Sequence, residues 1–390
     1  MSKLPSLAKV TLDHEGSNLW PLILSAEKSA LLNAPTTAGA KYNDNLIGVR
    51  VLGFMLQDLW QHSQHSFGLI PYKRLLEEIN SCSSPTHIVG SQEDTDAQHD
   101  AIYKLGLFHR NHLIRVFRSN GRPLPTESEH PSRPSLERTR QRLITKMAKQ
   151  KEDEKKDPTT TADARKESLV RDGFRCMVTG QYDFDSCDRH TDLEAAREAE
   201  NVPRAVTQCA HIFSESAQDS DKKTDYAASA MAILEMFGLN AQAESLVGRN
   251  VHKHFNILTM RSDLHHLFDH LTFWLEEVIG EKNTYKVCSV RDKVRTLPSP
   301  PPERVTFKVD PKLEAECWAA GKEPPALPSP ALLAIRAACS RVVHMSGAAE
   351  QIDQILRDLE DISVMADDGG SATLLMSRLL QSPRAISIAA

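Results

Sequence analysis

Ala210-His211-Ile212, Asn256-Ile257-Leu258 and His265-His266-Leu267-Phe268-Asp269 are the three stretches whose joint reading decides the fold. They make sense together as a strand, a second strand and a short helix gathered around one point, which gives His211, Asn256 and His265 in turn. Residues four apart on a helix lie one above the other on one face. His265 and Asp269 are so spaced, giving one imidazole and one carboxylate, a set compatible with Mg²⁺, Mn²⁺, Ni²⁺ or Zn²⁺. His266 and His270 form a rival pair at the same spacing.

Working outward, the interval from Ile212 to Val251 is far longer than a hairpin loop. Within it, Ala227, Met231, Leu234 and Phe237 are spaced as one face of an amphipathic helix over Tyr226 to Leu239, which predicts an inserted helical lid or dimer surface. Gly248-Arg249-Asn250 then turns into the second strand. Downstream of the helix, Thr272 to Val278 and Thr284 to Val290 read as a β-hairpin closed around Gly280-Glu281-Lys282-Asn283. Upstream, Arg171-Asp172-Gly173-Phe174-Arg175-Cys176-Met177-Val178-Thr179-Gly180 carries a basic residue and a Cys ahead of a tight turn ending in Gly.

The rest of the chain divides around this domain, which spans 165–292. An N-terminal region over 1–122, α/β or helical, has apolar residues on nearly every turn of Ile47 to Leu56 and a helical pattern over Leu69 to Ile79. Ala101 to Phe117 predicts a further helix with Leu105, Leu107, Leu113, Ile114 and Phe117 on its core side, and with His109 and His112 as surface residues. Gly121-Arg122-Pro123-Leu124-Pro125 marks a boundary. A charged linker or helix over 123–164 follows; its basic run, Arg138 to Lys151, is either a helix lying on a phosphate backbone or a solvated linker. A Pro-rich spacer with a short strand at Arg304 to Val309 occupies 293–331, and a packing or dimerising helix from Leu332 to Leu359 with a frayed tail completes 332–390.

Composition narrows the classes. At 390 residues the chain exceeds the roughly 250–300 at which single cores stop growing, so two or three domains are expected. Lys plus Arg total 47 against 52 Asp plus Glu, so any nucleic-acid contact must come from a local basic patch rather than from the global charge. The seven cysteines are scattered without a C-x-x-C pair, which argues against a disulfide framework or a four-Cys zinc site and for a reducing compartment. No run reaches the ~18 apolar residues of a membrane span and no signal-peptide core is present, so an intracellular setting, nucleus or cytoplasm, is expected with no membrane partner.

The three stretches, with the Arg-Cys-turn-Gly entry before them, resemble the HNH nuclease family. The resemblance implies an α+β fold: a ββα-metal core with a helical insertion, flanked by a mostly helical N-terminal region and a C-terminal helix. It implies His211 as the general base on the hairpin, Asn256 as the second-strand residue that orients the base or its loop, and His265 as the metal ligand on the helix. Counting from Asn256 favours His265 and Asp269 over the rival pair. Relatives with a second Cys at the entry hold a structural zinc; this chain has Thr179 there, so Cys176 is expected to pack as a small apolar residue. The family also places an Asp or His just before the base, where it completes the metal site. Here that residue is Ala210, a form that resembles a subgroup common in fungal proteins. Cys209, His252 and His254 are candidate supplements.

Two functions from different classes follow from the resemblance. One is an endonuclease dependent on a divalent ion, Mg²⁺ or Mn²⁺ first and Ni²⁺ or Zn²⁺ next, acting on DNA or RNA. The other is a degenerate HNH fold that binds nucleic acid or a protein partner without cutting. A third reading, an interaction scaffold, requires a large exposed apolar face on residues 332–359. A homodimer through the helical insertion or the C-terminal helix is compatible with any of them.

Overall fold

The computed structural model describes residues 2–33, 43–82, 92–117, 161–213, 233–239, 246 and 251–351. The basic run at 138–151, most of the expected insertion helix and everything beyond 351 lie outside the described residues. The chain is α+β and forms two compact units, the first made of Met1–Val116, Ser216–Asn240 and Ala338–Ala390, the second of Phe117–Glu215 and Ala241–Ala337.

The first unit is helical, with α1 at His14–Leu32, α2 at Asp44–Gln61, α3 at Ile70–Ser81 and α4 at Gln92–Phe117. Asp13 and Asn43 start the first two by accepting the amides of Gly16 and Leu46, which satisfies donors the helix itself leaves orphaned. Every residue from Leu46 to Leu56 in α2 is buried, so its near-continuous apolar run reflects a helix enclosed on all sides. Its Arg50 is neutralised by Glu27 at 2.7 Å.

In α4 one expectation fails and another is met in part, the side chains of Leu113, Ile114 and Phe117 lying outside what is described. Its core side carries Ile102, Tyr103 and Gly106, while Leu105 and Leu107 are only half-buried. The reason is a close crossing: a Cβ on Gly106 would overlap the Gly48 carbonyl of α2, so the helix turns its smallest residue inward. His109 is likewise buried rather than at the surface, with Nε2 2.7 Å from the Glu78 carboxylate.

The described part of the insertion, 233–239, packs Ile233, Leu234 and Phe237 inside this unit, with Phe237 edge-on to Phe67 at 5.2 Å between ring centres. Its apolar residues are therefore spent within the chain rather than presented as a lid or dimer surface. The C-terminal helix, Pro330–Ser346, behaves in the same way. Leu332, Leu333, Ile335, Val342 and Val343 are all buried, so the exposed apolar face of the scaffold reading is missing among the described residues.

The second unit contains α5 (Thr161–Arg171), β1 (Tyr182–Asp183), α6 (Phe184–Arg189), α7 (Thr191–Glu200), β2 (Arg204–Ala205), β3 (Thr207–His211), β4 (Ile257–Arg261), α8 (Ser262–Asp269), β5 (Phe273–Glu277), β6 (Thr284–Ser289), β7 (Arg304–Thr306), α9 (Pro311–Ala319) and the first half of α10 (Pro330–Ser346). Three small sheets result. β1 and β2 are parallel, β3 and β4 are antiparallel with His211 opposite Ile257, and β5-β6-β7 is an antiparallel meander. α8 starts on the residue after β4 ends, so the pair of strands and the helix form one continuous ββα unit.

The start of the unit is built around Arg171 and Asp172. Arg171, fully buried, makes a bidentate pair with Asp172 at 2.6 and 3.0 Å and donates to the carbonyls of His254, Ile257 and Ala326. Asp172 in turn accepts the Thr259 amide at 3.1 Å, so the pair grips both edges of the entry to β4. The Cys176 to Gly180 turn closes with Gly180 at φ 72° and its amide on the Cys176 carbonyl. Cys176 is buried and its sulfur faces the amides of Thr179 and Arg261 at 3.4 and 3.3 Å, the role of a small apolar residue with a weak acceptor. At the other end of the hairpin, Asp183 accepts the Thr207 hydroxyl at 2.5 Å, which fixes where β3 begins.

Candidate active site

Strand alternation puts Gln208 and Ala210 on one face of β3 and Thr207, Cys209 and His211 on the other. α8 lies on the first face, since His265 Nδ1 is 2.7 Å from Gln208 Oε1. Gln208 Oε1 is an acceptor and takes the Nδ1–H, and the ring turns its Nε2 toward Asp269 Oδ2 at 3.3 Å. Burial pushes His265 below its ordinary pKa, with the Arg336 guanidinium and His266 adding to the effect and Asp269 opposing it. Imidazole plus carboxylate, the imidazole steered by a carbonyl on its other nitrogen, fits a divalent ion.

The expected pair, His265 and Asp269, is thus brought together. The rival His266 and His270 rings also meet, tilted at 40° with 4.2 Å between centres, but on the exposed side of the helix. Ala210 is fully buried on the strand face turned to α8 and offers no donor. Among the described residues, no three His, Cys, Asp or Glu side chains gather into a group that could hold a metal. Any ion at His265 and Asp269 would therefore keep water or phosphate on its remaining positions.

His211 does not join that pair. It closes β3 half-buried, and its Nε2 is 3.2 Å from Nδ1 of the buried His252, the two rings meeting edge-on. Asn256, fully buried, holds the surrounding loop: its side-chain oxygen accepts the Phe213 amide at 2.9 Å, and its side-chain nitrogen donates to the carbonyls of Phe213 and Val251 at 2.9 and 2.8 Å. Its backbone carbonyl accepts the Ile212 amide. One residue thereby ties the end of β3 to the segment that presents His252.

The remaining candidates point elsewhere. Cys209 packs with Ala164 and Ile257, and burial pushes its thiol up to about 12, so it is not a thiolate ligand near neutrality. His254 Nε2 lies 3.4 Å from Glu167. Sequence reading missed three groups: Gln208, which steers His265; His252 as the partner of His211; and Arg336, whose guanidinium lies 3.9 Å from Asp269 Oδ1. For Gln208 a signal exists, because it lies two residues before Ala210 and so shares its face.

No helix among the described residues is long and apolar enough to cross a membrane. Neither the curated proteins nor the solved structures contain a match to the chain. The family model described as HNH endonuclease matches residues 176–276, from the Cys of the tight turn through both strands and α8 into β5. Residues 176–276 of this chain form a domain of the HNH nuclease family.

Proposed function

We propose that the chain is a divalent-metal-dependent endonuclease that hydrolyses phosphodiester bonds in DNA or RNA, with His211 as its general base. The observation that carries the proposal is His265 Nε2 set 3.3 Å from Asp269 Oδ2, with Gln208 on the other ring nitrogen, on a helix that follows directly from β4. His265 and Asp269 would hold the ion, Mg²⁺ or Mn²⁺ first and Ni²⁺ or Zn²⁺ next. When bound there, the ion would polarise the phosphate and stabilise the leaving oxygen.

The proton work falls to the histidine pair. For His211 to act as base, its Nε2–H must donate to His252 Nδ1, so that the lone pair sits on His211 Nδ1 and takes the proton from water. His252 then orients the ring and faces the positive charge that forms on it. Asn256 keeps the two histidines in register through the loop it clamps. Nicking of supercoiled plasmid with each of the four metals, beside His211→Ala, tests the reading. Cleavage by the wild type that falls by about 10²–10⁴-fold in the variant supports it, and no cleavage with any metal sinks it.

A second reading has its own observation. Ala210 supplies no donor and no three-donor group forms among the described residues, as expected of an HNH fold that binds nucleic acid without cutting it. Retardation of DNA that weakens steeply with salt, without nicking under any metal, would favour that reading.

A further inference from the structure

Arg336 lies on α10, beyond the segment that matches the HNH family. It is fully buried, yet its guanidinium spans the two halves of the candidate site. One arm donates to the Ile212 carbonyl at 2.7 Å, on the residue that follows His211. The other donates to the Phe268 carbonyl, on the residue that precedes Asp269. The guanidinium carbon sits 3.6 Å over the centre of the Phe268 ring, and the charge lies 3.9 Å from Asp269 Oδ1.

We infer that Arg336 is a positioning residue of the HNH site, the brace that fixes the strand end bearing His211 against the helix end bearing Asp269. The inference rests on the nuclease reading above. The need for such a brace follows from the geometry of the two pairs. His265 and Asp269 share a helix, so α8 alone sets their spacing, but His211 belongs to a strand whose side chain leaves on the opposite face. Within the ββα arrangement the Gln208–His265 bond ties the start of the strand to the middle of the helix, and Arg336 adds the tie between their far ends. A planar fork with donors on two arms can hold two carbonyls at once, which a lysine ammonium on a single stem does poorly. Near the ion pair, the same charge sits on the Oδ1 side of Asp269, so Oδ2 is the oxygen turned to His265.

Arg336→Met keeps most of the aliphatic packing over Phe268 and removes both donors. In the full-length chain, kcat for plasmid nicking with Mn²⁺ is expected to fall about 10–100-fold, the range seen when groups that orient metal ligands are removed. KM for DNA is expected to stay within about twofold, because Arg336 is buried and touches no substrate. Hydrogen exchange measured without metal should speed up in peptides covering 207–213 and 262–272 while those covering 182–205 and 284–306 keep wild-type rates. Arg336→Lys should restore part of the lost kcat, and it serves as the test variant if the methionine variant does not fold.

A folded Arg336→Met chain with wild-type kcat and wild-type exchange overturns the inference. So does uniform loosening of all four segments with unchanged kcat per folded molecule, since that is the mark of a residue that only stabilises. A wild-type chain that nicks no DNA with any metal overturns the nuclease reading itself and takes the inference with it.

Discussion

Arg171 and Arg336 are both fully buried in the second unit, and they differ in what surrounds their charge. Arg171 is locked to its neighbour Asp172 by two short bonds, and that carboxylate is as buried as the guanidinium. Arg336 holds two carbonyls and an aromatic face, and the Asp269 carboxylate 3.9 Å from it is partly open to solvent. The first arrangement is a closed, self-neutralised strut. The second leaves positive charge directed at the candidate site. A buried arginine is therefore not one kind of residue: what it bonds separates a self-paired pin from the positioning role proposed for Arg336.

The contrast can be broken by substitution. Arg171→Met strands the buried Asp172 carboxylate and should cost about 3–5 kcal/mol in denaturant unfolding, with much of the loss recovered in the double variant Arg171→Met/Asp172→Leu. A single-variant cost under about 1 kcal/mol would mean that the pair is not the strut described. Asn256 sits between the two guanidiniums, flanked by carbonyls of His254 and Ile257 that Arg171 holds and bonded through its own carbonyl to Ile212. Asn256→Ala should cost about 2–4 kcal/mol by orphaning the Phe213 and Val251 groups, and should lower nicking in the chains that remain folded.

Arg336→Met should destabilise less than Arg171→Met, by about 1–3 kcal/mol, because it orphans carbonyls rather than a buried carboxylate. Equal costs for the two would erase the distinction. The smallest effect is a pH dependence. Folded His265 has a pKa below its ordinary 6.5, chiefly through burial, so the unfolded chain binds the extra proton more readily. Its share of stability is complete above about pH 6.5 and is lost as the pH falls through the folded value. His265→Gln should flatten that part of the stability profile, and an unchanged profile would show that His265 is not held neutral.

What could be read from the sequence was local. The spacing of His265 and Asp269 is a property of one helical turn, while His211 ends β3 and Asn256 ends the turn just before β4. The hairpin at 272–290 was legible for the same reason, and forms as Phe273–Glu277 and Thr284–Ser289. What could not be read depends on partners distant in the chain. The bonds of Arg336 to Ile212 and Phe268 cross 124 and 68 residues, and His252 meets His211 across 41. No period encodes such meetings. The partial burial of Leu105 and Leu107 in α4 has a similar origin, since leucine spacing alone cannot foresee that two glycines, Gly48 and Gly106, bring the helices close together. His109 was misjudged because its partner, Glu78, lies on a different helix.

The burial of Ala210 also bears on how this site can change over generations. A carboxylate introduced at that position would arrive in a place closed to water, where a lone negative charge is strongly disfavoured. Under the proposed function, the replacement is tolerable only where a cation held by His265 and Asp269 already stands beside it. Packing at a single alanine thus makes any third ligand conditional on the first two.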